Sequence, residues 1–122
     1  MKPETEEWLG RAQGDIGASA VLLKSGFQRG ALFHAHEAVE RTLKAIWVEW
    51  RTEQPEKTHN LPYLAKELKL GLSTEQREFL RKLYWELIPS RYPEGSDPTA
   101  EMAQWYHEKA KEMCEWLRQL LK

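Results

Sequence analysis

The longest uninterrupted periodic pattern in the chain runs from Ala31 to Trp50, ALFHAHEAVERTLKAIWVEW. Leu32, Ala35, Val39, Leu43, Ile46 and Trp50 recur every three or four residues, the spacing that gathers side chains onto one stripe of an α-helix. No Gly or Pro interrupts the stretch, and the Ala, Leu, Glu, Arg and Lys that fill it are strong helix formers. Polar groups flank the stripe. His36 and Glu40 are four apart and share one side, with Glu37, Arg41 and Lys44 within one further turn. The pattern predicts a long central helix with an apolar seam and a dense polar flank.

Upstream, a first helix is expected to start near Pro3, because Pro suits an opening turn and Glu4, Glu6 and Glu7 suit the positive helix end. Trp8, Ala12, Ile16, Ala20 and Leu23 form its predicted stripe, and Ser25-Gly26 ends it. Phe27 to Gly30 reads as a tight turn that returns the central helix antiparallel to the first. The central helix is expected to fray between Thr52 and Gln54, since Pro55 disfavours helix just before it.

Downstream of a polar loop from Pro55 to His59, Asn60 is the expected N-cap of a short helix with Pro62 in its first turn. That helix carries Leu61, Leu64, Ala65 and Leu68 and stops by Gly71. Ser73 and Gln76 read as a capping box opening a further helix, with Leu80, Leu83, Tyr84 and Leu87 facing inwards and Pro89 ending it. The stretch SRYPEGSDP is a loop. Asp97 or Thr99 then caps a last helix whose stripe is Ala103, Tyr106, Ala110, Met113, Leu117 and Leu120. No strand-like alternation and no repeat of fixed period is present. The expected fold is all-α: one domain over residues 1–122, an up-and-down four-helix bundle with one additional short helix.

Composition narrows the functional classes. A chain of 122 residues is long enough to bury roughly two-thirds of its unfolded surface without metals or disulfides. The formal charge of −1 gives no global pull towards nucleic acid or anionic membrane. A single cysteine, Cys114, excludes an internal disulfide and, beside Met113 and Leu117, reads as a packed, inert thiol. Six Trp is many for a small helical chain, so some are expected at a subunit contact, with Trp47, Trp105 and Trp116 as candidates. No apolar run approaches the ~20 residues that span a bilayer, and the acidic start MKPETEEW lacks an apolar signal region. The expectation is a soluble, cytoplasmic protein without a membrane partner.

Three places carry candidate chemistry. His36 and Glu40 have the spacing of two metal ligands on one helix face, with a third ligand to come from His34, His59 or His107. The reading preferred here is a helix-surface pair worth a few tenths of a kcal/mol, with neither metal nor cofactor. His59, in Thr58-His59-Asn60-Leu61, either braces its loop or presents a ring to an anion. Arg77, Arg81, Tyr84, Ile88 and Arg91 draw a partly basic stripe leading into the SRYP loop. There an Arg fork suits phosphate oxygens and Tyr92 suits stacking on a base. The charge excess in that region is too small for a long nucleic-acid track. No Gly-rich phosphate loop and no catalytic triad order is present.

Taken in order, Ala12-x-x-Asp15, Ala20-x-Leu22-Leu23, Phe33-x-Ala35, Ala38-x-Glu40-Arg41-x-Leu43-Lys44-Ala45, Thr58-His59-Asn60-Leu61 and Ser90-Arg91-Tyr92-Pro93 resemble the HEPN domain family over about residues 5 to 121. The resemblance implies a helical bundle, frequently homodimeric, found in prokaryotes beside a small separate nucleotidyltransferase in toxin–antitoxin-like pairs. It also implies nucleotide binding. Several branches of the family are metal-independent ribonucleases that use an Arg followed four to six residues later by His. Arg91 matches that Arg, but Gly95, Ser96, Asp97 and Pro98 occupy the window after it, and no His does. Without that imidazole the usual proton carrier is missing. A Gln-Gln pair common in relatives is His36-Glu37 here.

The expected function is therefore a non-catalytic, nucleotide- or phosphate-binding homodimer acting with a separate nucleotidyltransferase. Arg91, Tyr92, His59, Glu40, Lys44 and His36 are its candidate site. A ribonuclease toxin acting on RNA and a ligand-free helical scaffold are the two alternatives.

Overall fold

The computed structural model describes residues 1–87 and 97–122. Five helices follow one another: α1 (Pro3–Lys24), α2 (Gln28–Trp50), α3 (Leu61–Glu67), α4 (Thr74–Glu86) and α5 (Ala100–Gln119). Among the described residues there is no strand, and no helix is long and apolar enough to cross a membrane. The α1–α2 hairpin and α5 pack on one another, while α3 and α4 cover the remaining side of α2, which touches all four other helices.

The helix ends are set by local chemistry. Asn60 Oδ1 accepts from the Tyr63 N–H at 3.0 Å, Thr99 Oγ1 from the Met102 N–H at 3.1 Å, and Ser73 with Gln76 forms the reciprocal capping box. Thr99 is thus the cap of α5, while Asp97 pairs with Arg29 at 3.2 Å. Gly26 sits at φ +83°, the left-handed conformation that ends α1. The turn closes faster than the sequence implied: α2 begins at Gln28, so the Phe27–Gly30 turn is shortened to Ser25–Phe27. Three residues suffice because Gly30 lets the helices approach closely. A Cβ there would meet Leu22 Cδ1 at 3.2 Å.

At its far end the same hairpin is held by charge. Lys2 Nζ donates to the Val48 and Arg51 carbonyls at 2.7 and 3.2 Å, a cation on carbonyls at the end of α2. Thr5 Oγ1 and the Lys2 N–H both donate to Glu49. The Arg51 guanidinium lies 4.2 Å over the Trp47 ring and donates to the Glu67 carbonyl, tying the end of α2 to α3.

The core is a single cluster in which Leu43, Ile46, Leu61, Leu64, Leu80, Leu83 and Leu117 are fully buried. Cys114 belongs to it, and burial pushes its thiol up to about 12, far from nucleophilic character at neutral pH. Two predicted stripes shift. In α1 the buried residues are Thr5, Leu9, Ala12, Asp15 and Ser19, whereas Ala20 is exposed and Trp8, Ile16 and Leu23 are half-buried. Small and polar residues win the inner face because they let α1 lie close on α2 and bond to it. In α2, Trp50 is exposed, and Trp47 is buried rather than available to a partner.

Candidate functional site

Because α2 is covered from all sides, every residue from Ala35 to Val48 except Arg41 is buried, and its polar flank lies inside the molecule. The predicted helix-surface pair of His36 and Glu40 is therefore corrected. His36 is fully buried and Glu40 is 4% exposed. Groups of this kind persist in an interior only as a connected network.

The network starts on α1. Asp15 Oδ1 accepts from His34 Nδ1 at 2.9 Å and Asp15 Oδ2 from Arg41 Nη1 at 2.7 Å. Arg41 Nη2 reaches Glu37 Oε2 at 3.3 Å. One turn on, Glu40 Oε2 accepts from Lys44 Nζ and Glu40 Oε1 from His59 Nδ1, each at 2.8 Å. His36 stands between the two glutamates. Its Nε2–H donates to the His59 carbonyl at 3.0 Å, while its Nδ1 lies 3.7 Å from Glu40 Oε1 and 4.0 Å from Glu37 Oε1 with no hydrogen-bond partner. Tyr84 of α4 covers the ring, centroid to centroid 6.3 Å.

Four candidate site residues, His36, Glu40, Lys44 and His59, are thus brought into one cluster. Arg91 and Tyr92 lie outside the described residues. Lys44 is tied to Glu40 inside the protein, and the His59 side chain is the exposed end of the chain of contacts. His34 and His107, two of the proposed third metal ligands, do not reach the His36–Glu40 pair. His34 is bound to Asp15, and His107 Nδ1 donates to Ser19 Oγ at 2.9 Å, whose own proton goes to the Ala31 carbonyl. Glu37 and Asp15 are members that sequence reasoning missed. Asp15 recurs with Ala12 and Ser19 at helical spacing among small residues, which is the signal that could have found it.

Desolvation pulls the His36 pKa from 6.5 down to about 4, with Glu40 opposing the shift, so the ring is neutral at pH 7. Desolvation and the neighbouring Glu40 push Glu37 the other way, above the usual carboxylate range. The unfolded chain binds a proton at His36 more readily than the folded one, so this group's contribution is complete above about pH 6.5 and is lost as the pH falls towards 4. Metal-free protein is expected to lose roughly 3 kcal/mol of stability from His36 across that window, partly offset by Glu37. Urea melts at pH 7, 5.5 and 4.5 check the slope; a flat profile would contradict it.

The structure resembles two crystal structures over nearly full length. One is TT1696 from Thermus thermophilus, with a TM-score of 0.82 and 20% identity, covering 97% of this chain and 98% of that one. The other is ST0689, an archaeal HEPN homologue, with a TM-score of 0.80 and 19% identity, covering all of both chains. No curated protein sequence matches the chain. The model of the HEPN domain matches residues 5–120, which contain every helix core and the whole buried network: the chain belongs to the HEPN domain family.

Proposed function

We propose that this protein is a non-catalytic HEPN homodimer that binds a nucleotide or another phosphate-bearing ligand and acts with a separate small nucleotidyltransferase in a toxin–antitoxin-like pair. The observation that carries this reading is the lack of a free imidazole where a ribonuclease of the family would need one. Arg91 is followed by no His before His107. That ring is half-buried, bonded to Ser19, and held below its ordinary pKa by desolvation and Lys111. It is committed to seating α5 on α1, and metal-independent RNA cleavage needs an accessible proton carrier.

Ligand binding draws support from an open groove of about 640 Å³ between α4 and α5, the two helices joined by the segment that contains Arg91 and Tyr92. Trp85 and Trp105 line it at 51% and 41% exposure, with Lys82, Arg81 (paired to Glu78), Glu86 and Glu101 beside them. Indoles stack on bases of any identity and cationic side chains suit phosphate. Glu40 and His36 hold His59, by its ring and its carbonyl, and Lys44 holds Glu40; these four residues are not in the lining of the groove. The exposed Val21, Phe27 and Phe33 offer apolar surface for a second copy.

Titration with ATP at up to millimolar concentration tests the reading by calorimetry and thermal shift. Saturable heat and a melting temperature raised by several degrees are expected, since ligand at 100 times Kd adds about 2.7 kcal/mol. Trp105→Ala is expected to weaken both signals, with RNA left intact in parallel and the protein sedimenting as a dimer. Absence of heat and shift would remove the binding claim. RNA cleavage abolished by Arg91→Ala would install the ribonuclease reading instead.

A further inference from the structure

Among the described residues, His36 Nδ1 is the one buried side-chain nitrogen or oxygen without a hydrogen-bond partner. The Nε2–H of the same ring is spent on the His59 carbonyl, which fixes the neutral tautomer and leaves Nδ1 with an unshared pair of electrons. Nδ1 lies 3.7 Å from Glu40 Oε1, which also accepts the His59 Nδ1–H, and 4.0 Å from Glu37 Oε1, two more electron-rich atoms. Lone pair against carboxylate is repulsive in a low-dielectric interior unless a cation stands between them.

We infer that the turn of α2 carrying His36, Glu37 and Glu40 binds one divalent first-row transition cation, of which Zn²⁺ suits the donors well, through His36 Nδ1 and one oxygen of each carboxylate. The three donors all lie within 4.8 Å of one another. Zinc bonds of about 2.0–2.1 Å in a tetrahedron place donors about 3.3 Å apart, so the 3.7 and 4.0 Å separations from Nδ1, and the carboxylate–carboxylate separation within 4.8 Å, close as the two glutamates rotate onto the ion. A single imidazole with two carboxylates suits zinc and its neighbours better than calcium, which wants six to eight oxygens.

The surroundings match what such an ion needs. A ligating His ordinarily donates its other ring N–H to a carbonyl or carboxylate, as His36 does to His59. Arg41 holds the outer oxygen of Glu37 and Lys44 that of Glu40, while the inner oxygen of Glu40 accepts the His59 Nδ1–H at 2.8 Å and keeps a second lone pair for the ion. Asp15, Glu37 and Glu40 outnumber Arg41 and Lys44, leaving the cluster anionic. The cluster meets solvent at the His59 side chain, 68% exposed, and at Arg41, 32% exposed.

The test is Zn²⁺ binding to chelator-treated protein, measured by competition with a chromophoric chelator, with Co²⁺ absorption reporting coordination. No nucleotide is present, so the result stands apart from the proposed function. One equivalent with micromolar or tighter affinity is expected, together with a four- or five-coordinate cobalt spectrum. His36→Gln is expected to abolish binding and Glu37→Gln to weaken it about tenfold or more. Should His36→Gln fail to fold, Glu37→Gln decides, because Glu37 lies at the edge of the cluster and circular dichroism can verify its fold. No saturable binding, equal affinity in Glu37→Gln, or affinity lost instead in His34→Ala or His107→Ala would each overturn the proposal.

Discussion

Glu40→Ala is expected to cost about 3–5 kcal/mol of stability, the range for removing one partner of a buried ion pair. The reason is what remains. Lys44 is 7% exposed and its ammonium would be left in the interior without its 2.8 Å partner. The same carboxylate receives the His59 ring, so the 51–60 connection loses an anchor at the same time. Replacing both partners separates the two effects. Glu40→Leu combined with Lys44→Met is expected to recover most of the loss, because well-packed apolar groups can replace a buried pair at little cost. Urea unfolding of the two singles and the double closes the cycle. A Glu40→Ala protein within 1 kcal/mol of wild type would show that the pair is solvated in solution.

Leu43→Ala is expected to cost a similar 2–5 kcal/mol by a different route. Leu43 is completely buried one turn from Glu40, within the cluster formed by α2, α3, α4 and α5. Deleting its branched end removes dispersion contacts and leaves a cavity that helices packed on every side cannot easily collapse into. The loss should be insensitive to pH between 7 and 4.5, unlike anything that acts through His36. Thermal melts of Leu43→Ala at the two pH values check this. For a domain whose total stability is about 5–15 kcal/mol, either substitution is close to the threshold of folding.

The helical architecture was legible because its signals are local. Asn60, Ser73 and Thr99 announce helix starts, Gly26 announces an end, and the α2 and α5 stripes repeat at 3.6 residues. What misled the reading was the assumption that apolar residues mark the inside. In α1 Thr5, Asp15 and Ser19 share the inner face with Leu9 and Ala12, chosen for close approach and bonding to α2, while Val21 is exposed. The same assumption placed His36 and Glu40 at the surface. Periodicity ranks the faces of a helix against one another, but cannot say that a helix is enclosed on all of them. That depends on which other helices arrive, and α4 and α5 reach α2 from far along the chain. The grouping of His36, Glu40, Lys44 and His59 was anticipated; the part played by Glu37 and Asp15 emerges only when α1 is laid on α2.

The α1–α2 hairpin is fastened at its two ends by unlike forces: a glycine contact under Leu22 at the turn, and an ammonium on two carbonyls at the open end. Ionic strength weakens the second and leaves the first alone. Raised salt is therefore expected to loosen the hairpin at its Pro3 end while the Gly30 crossing stays shut, an order that amide exchange along α1 would check. Asp15, roughly midway along α1 and bonded to Arg41, is where that loosening is expected to stop.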